Sequence, residues 1–347
     1  MAITFTAPES FAGALDEVCY TVSGLDPQAV TQIEILNTDN NRLLGVKEFR
    51  GQESVRVNVA RYARQLLDIV PQIYNQNIVM INNTGRYVSL CIRSCGSTSP
   101  VTKLVYSSFA PIQTGIMTTA PEKKHIAWNE TDEICFCSPG NRYDCIATLT
   151  GSGELLEFQL AESMAINGIG TLRLNASRLN DLVLGKRRQP DEFNMIEVNV
   201  RDLDHNSETR IVQFYKIVPE SPSGMRVCWV NPFGGIDYHT FPIIKEDELR
   251  PEKSSFYGNN GTQIISPGVR MGTTLSSGRL PKGMLQWLGD IAGSPRIWFF
   301  PTKTRTYIPV VVSSQSIKLD GLQPGSIEIS FQMAKTSLSH SYEFICR

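Results

Sequence analysis

The stretch Ser54-Val55-Arg56-Val57-Asn58-Val59 alternates polar and apolar side chains residue by residue. A period of two belongs to a strand with one face buried and the other wet. Ile196-Glu197-Val198-Asn199-Val200 repeats the pattern, and Gln32-Ile33-Glu34-Ile35-Leu36 is a third such segment. Similar runs rich in Val, Ile, Thr, Tyr and Phe recur along the chain, and Gly, Asn, Asp and Pro punctuate the gaps. Helical stretches are few and short. The clearest in the first half is Val59 to Leu67, where Tyr62, Leu66 and Ile69 share a helical face. The chain therefore reads as mainly β.

The sequence also repeats itself. Asp16-Glu17-Val18-Cys19-Tyr20 returns as Asp132-Glu133-Ile134-Cys135-Phe136, and Arg56-Val57-Asn58-Val59-Ala60-Arg61 as Arg173-Leu174-Asn175-Ala176-Ser177-Arg178. Leu90-Cys91-Ile92-Arg93 matches Val198-Asn199-Val200-Arg201, and Leu104 through Pro111 matches Val212 through Pro219. The separations, 116, 117, 108 and 108 residues, keep one order and need one net deletion of about nine residues. The expected organisation is two duplicated β-sandwich modules, residues 1–115 and 116–222, of immunoglobulin-like or related topology. A third β-rich module with one short helix follows at 223–347.

In that third module, Met225-Arg226-Val227-Cys228-Trp229-Val230 and Ile236-Asp237-Tyr238-His239-Thr240-Phe241 flank a Gly-rich turn and predict a hairpin. Residues 250–280 are polar and Gly/Ser-rich, which predicts an extended arm or a long loop that orders on contact with a neighbour. Pro281 opens the best helix, with Met284, Leu285, Leu288, Ile291 and Ala292 as its apolar stripe. Three strands are expected after it, at Ile297–Phe300, Ile308–Val312 and Ile327–Phe331.

The 347 residues carry a formal net charge of −1. The one compact basic run, Lys186-Arg187-Arg188, precedes Pro190 and reads as a solvated loop, so no direct nucleic-acid specificity is expected. The amino terminus lacks the basic and apolar regions of a signal peptide, and no apolar run approaches the roughly 18 residues of a membrane span. Cytoplasmic synthesis is the expectation. It fits eight cysteines read as free thiols: Cys19, Cys91, Cys95, Cys135, Cys137, Cys145, Cys228 and Cys346. Cys135-x-Cys137 with Cys145 lacks the second CxxC or His pair of a zinc site, and no metal or cofactor is expected.

No P-loop, GxSxG or HExxH is present. His125, His205, His239 and His340 are scattered: His125 reads as a surface residue of a linker, and His239 as stacked or exposed in the aromatic hairpin. Asp16-Glu17 and Asp132-Glu133 are neighbours on strands, so each pair points to opposite faces and reads as solvated, not as a glycosidase couple. The chain is not expected to be an enzyme, and no catalytic residue is assigned. Tyr238, Tyr257, Trp287 and Trp298 are read as core or interface aromatics, with a sugar-binding platform as the alternative.

The run from Cys228 to Phe241, Cys-Trp-Val-Asn-Pro-Phe-Gly-Gly-Ile-Asp-Tyr-His-Thr-Phe, resembles a W-x-N-x-x-G-G-x-D-x-x-x-F hairpin of tail and other virion proteins of bacteriophages, especially phages of gut bacteria. The helix Leu285–Ile291, Ser294-Pro295-Arg296-Ile297-Trp298 and the strands at Ile308 and Ile327 are similar to the closing module of such proteins. The resemblance covers about the last third of the chain. It implies a structural component of a phage tail, at the tail tip, baseplate or adaptor ring. Such a protein assembles in the host cytoplasm with copies of itself and with other tail proteins, and then resides in the virion. A carbohydrate- or receptor-binding β module, facing a host surface glycan, is the competing expectation.

Overall fold

Alternation along the chain becomes pairing across it. The structure is a computed structural model that describes residues 2–71, 78–108, 115–151, 153–205, 210–221, 223–258, 261–300, 307–313, 318–319 and 324–333, with backbone alone at 210, 250–256, 262–270 and 318–319. Its elements are mostly strands.

The first unit contains β1 (Thr4–Thr6), β2 (Phe11–Gly13), β3 (Cys19–Ser23), β4 (Val30–Asn37), β5 (Arg42–Arg50) and β6 (Ser54–Asn58). Helix α1 (Ala60–Leu66) follows, then β7 (Val79–Asn82), β8 (Tyr87–Ser94), β9 (Ser97–Thr98) and β10 (Thr102–Val105). One sheet runs β1-β3-β6 and the other β2-β10-β8-β4-β5, with β9 beside β8. The period of two along β6 places Val55 and Val57 inside and Ser54 and Arg56 outside. Tyr20, Val22, Val55 and Val57 of one sheet meet Ile33, Ile35, Leu90, Ile92 and Leu104 of the other. This is a β-sandwich, and the Tyr20 hydroxyl ties its layers by donating to the Leu90 carbonyl at 2.9 Å. In α1 the buried side chains are Ala60 and Ala63, with Tyr62 and Leu66 packed at the margin.

The second unit contains β11 (Gly115–Ile116), β12 (Lys123–Ile126), β13 (Thr131–Gly151), β14 (Leu155–Asn175), α2 (Ala176–Gly185), β15 (Phe193–Asp202) and β16 (Arg210–Ile217). Its pairings follow those of the first unit in order. β12 lies parallel to β16 as β2 does to β10, and β15 is antiparallel to β16 as β8 is to β10. The first part of β13 pairs with the last part of β14, as β3 does with β6; the last part of β13 pairs with β15, as β4 does with β8. What differs is continuity. β13 passes without a break from one layer to the other, turning at register shifts near Pro139–Arg142 and Tyr143–Ile146. One core, including Phe136, Leu172, Ala147, Val198, Tyr215 and Leu179, fills the fold between the layers. β7 departs from the expected boundary at residue 115: it leaves the first unit and pairs with residues 170–173 of β14.

The third unit contains β17 (Met225–Val230), β18 (Ile236–Phe241), β19 (Ile243–Gly258), β20 (Gly261–Ser276), α3 (Lys282–Gly289), β21 (Ile297–Phe299), β22 (Ile308–Val312), β23 (Lys318–Leu319) and β24 (Ile327–Met333). Their order is β18-β17-β21-β22-β24-β20-β19, with β23 beside β24. Helix α3 buries Met284, Leu285, Trp287 and Leu288 against the sheet; Trp287 takes the place expected of Ala292, which is exposed after the helix has ended.

Through most of their length residues 250–280 are not a loop but part of an extended, two-stranded arm. β19 and β20, 16 residues each, form one antiparallel hairpin. β24 pairs with β20 only at 272–276, so the outer ten or so residues of each strand project alone, about 30 Å at the rise of a strand.

Trp229 is fully buried, and its ring lies 5.1 Å from that of Trp287. Trp229→Ala leaves a large void in a core that cannot collapse onto it. We expect a loss of roughly 3–5 kcal/mol by chemical denaturation; a change below about 1 kcal/mol would contradict this packing.

Candidate functional site

The junction of the three units is where the polar residues of the Trp-Asn-Gly-Gly-Asp hairpin converge. In the turn between β17 and β18, the Asn231 side-chain oxygen accepts from the Phe233 and Gly235 amides at 3.0 and 3.1 Å, which shapes the turn. Its Nδ2 donates to the Met117 carbonyl at 2.8 Å and to Asp237 at 3.1 Å. Asp237 in turn accepts from the Thr118 hydroxyl at 2.6 Å and from Trp287 Nε1 at 2.9 Å. Two side chains thus bind the turn, the 117–118 connector and α3 together. The Pro232 carbonyl accepts from Ser107 Oγ at 2.6 Å and from the Ser108 amide at 3.0 Å, which adds the end of the first unit. Arg296 reaches the first unit again, at the Asp68 carboxylate (2.5 Å) and the Ile69 carbonyl (3.0 Å).

The two glycines answer to different constraints. Gly234 has φ +84, the left-handed region that favours glycine. Gly235 does not; a Cβ there would sit 2.2 Å from the Met117 carbonyl oxygen. Gly235→Val therefore acts by driving the hairpin off the connector. We expect a drop of about 2–4 kcal/mol, with Gly235→Ala already destabilising. A melting temperature unchanged by Gly235→Ala would contradict the close approach.

A second set of groups lies behind the hairpin. Arg226 of β17 pairs with Glu130 at 2.9 Å, and Thr240 of β18 donates to the same carboxylate at 2.5 Å. Lys124 pairs with Asp132 at 2.6 Å, and Arg86 of the first unit with Glu133 at 2.7 Å. All six charged residues are buried. Burial pushes the Asp132 carboxyl up, against the pull of Lys124 and Arg226. His239 is also buried, edge-on to Phe241 and Trp287, and its Nε2 has no hydrogen-bond partner among the described residues. Burial, then Arg226, His125 and Lys124, pull its pKa down to about 3.

Several sequence expectations change here. Asp16 and Glu17 are exposed as expected, but Asp132 and Glu133 are buried, because their ion-pair partners come from β12 and from the 84–86 turn. Lys123-Lys124-His125 is strand β12, not a linker; Lys124 is buried and His125 half-buried. Cys135 and Cys137 share one face of β13, Cys145 lies in the core of the second unit, and burial pushes all three thiols up. Among the described residues no group of three or more His, Cys, Asp or Glu is placed to hold a metal. His340 and Cys346 lie outside the described residues. Tyr238, Trp287 and Trp298 are buried, whereas Tyr257, near the tip of the β19–β20 hairpin, is 87% exposed; the four do not share a surface. Arg188 of the basic run engages Glu154 and Glu192, and Lys186 and Arg187 are exposed after α2. No described helix is long and apolar enough to cross a membrane.

No family model matches the chain, and no curated protein does. Among solved structures, the Salmonella enterica SafA pilin in complex with the SafB chaperone is similar at 12% identity, over 62% of this chain and 96% of that one, with a TM-score of 0.20. A variant of Salmonella alpha-2-macroglobulin is similar at 9% identity, over 92% of this chain and 24% of that one, with a TM-score of 0.19. The chain thus spans about a quarter of the macroglobulin. At these TM-scores neither likeness bears on fold or function.

Proposed function

We propose that the chain is two copies of one β-sandwich module and a third β module, and that it serves as a structural component of a bacteriophage tail. Its place is the tail tip, baseplate or an adaptor ring, where it assembles with copies of itself and other virion proteins. One observation carries the reading. Asn231 and Asp237, the polar residues of the phage-like hairpin, commit their side chains to fastening the third unit to the 117–118 connector, and the Pro232 carbonyl between them fastens the turn to the end of the first unit. A part that transmits position between neighbours needs such fixed joints, and the projecting hairpin gives it reach. Mass spectrometry of purified particles from the phage that encodes the chain tests this. The chain should be present in the stoichiometric ratio of a tail ring; its absence from infectious particles would overturn the proposal.

A second reading, recognition of a host glycan or receptor, is favoured by Tyr257 alone. Glycan-array binding that Tyr257→Ala abolishes would support it over a purely structural role.

A further inference from the structure

The two sandwiches differ at one edge. In the second unit, residues 170–173 of β14 carry β7 as an antiparallel neighbour, Gly170 opposite Asn82 and Arg173 opposite Val79. The repeat sets Arg56 against Arg173, so β6 holds the equivalent place in the first unit. β6 pairs with β3 on one side, and no described strand takes the other. The Asn58 carbonyl at its end accepts from Lys47 Nζ at 3.4 Å; the remaining edge amides and carbonyls are a template for one more strand.

Four exposed arginines and the exposed Glu53 lie close to β6 in sequence. Arg50, Arg56, Arg61 and Arg64 are exposed, and none makes an ion pair among the described residues. At the far end of the chain's last sheet, β19 is also an edge, paired only with β20. Its root carries exposed acids: Glu246 and Glu248 share one face of the strand, and Asp247, on the other, accepts from Thr273 at 2.8 Å. Pro251 lacks an amide hydrogen and the register of β19 shifts between Ile244 and Glu246, which confines a regular ladder to residues 246–250 of the root.

We propose that the open edge of β6 receives the root of β19 from a second copy of this chain, with Glu246 set against Arg56. The inference rests on the assembly reading above and names its contact. The two surfaces differ, so the contact is head-to-tail and propagates into a ring or a filament. Its charge complementarity makes it weaken with salt.

Sedimentation velocity of the full chain tests this at low and high salt. Self-association is expected at low salt and should weaken at high salt. Arg56→Glu and Glu246→Arg, both at exposed positions, should each weaken association by at least about tenfold, and the double variant Arg56→Glu/Glu246→Arg should restore it. Circular dichroism melting verifies that each variant is folded. If the wild type assembles and Arg56→Glu assembles equally well, or if the double variant fails to recover, this edge pairing is overturned while the tail reading stands. A wild type that stays monomeric at both salts overturns the edge pairing, and particle composition then decides the tail reading separately.

Discussion

Arg226→Ala should be among the most damaging single substitutions in the chain, with an expected loss of roughly 3–5 kcal/mol. The guanidinium is 1% exposed and faces Glu130, Thr240, the Thr131 carbonyl and the Tyr238 ring. Removing it leaves the Glu130 carboxylate buried with its charge uncompensated, and that desolvation cost dominates the effect. Arg226→Met with Glu130→Gln removes both charges while keeping most of the volume, and should recover much of the stability. Urea denaturation of the single and double variants measures the coupling. If the double variant is as unstable as Arg226→Ala, packing and not charge holds this joint.

Acid should loosen the same joint through His239. Its folded pKa of about 3 lies below the roughly 6.5 of an exposed imidazole. The sign follows from proton counting. Below pH 6.5 the unfolded chain takes up a proton that the folded chain refuses until about pH 3, so stability falls as pH falls across that window. At about 1.4 kcal/mol per unit, the loss is roughly 2 kcal/mol by pH 5 and on the order of 4 kcal/mol at the acid end. Asp132, whose folded pKa is raised, acts in the opposite direction as it takes up its proton, so the difference between wild type and His239→Phe is the useful quantity. His239→Phe should be close to neutral at pH 8 and should flatten the acid limb. An acid limb unchanged in that variant would contradict the buried, neutral imidazole.

Strand after strand was legible in the sequence because alternation is local. Val55 and Val57 point inward and Arg56 outward simply because successive side chains leave a strand on opposite faces. The shared order of pairings in the first two units agrees with the recurring sequence segments, because matched apolar positions suit matched strands. Other features depend on distant partners and leave no local trace. Nothing in Val79–Asn82 shows that it crosses to β14 of the next unit. Asp132 and Glu133 have the composition of a wet turn, and only Lys124 and Arg86 make their burial tolerable. The polar stretch after residue 250 reads as loop by composition, yet the turn signal Gly258-Asn259-Asn260-Gly261 between two long segments was there to suggest a hairpin. For the hairpin glycines the motif was visible but its cause was not. Gly235 answers to the Met117 carbonyl, 118 residues away in sequence, and not to its own backbone angle.

Negative-stain electron microscopy of the purified full chain is the most direct test of the central claim, that three fixed β units form a subunit built to assemble. Closed rings, or short stacks of them, with one subunit shape repeated around the axis are the predicted result. Isolated particles whose three units adopt many relative angles, at concentrations where tail parts assemble, would contradict it.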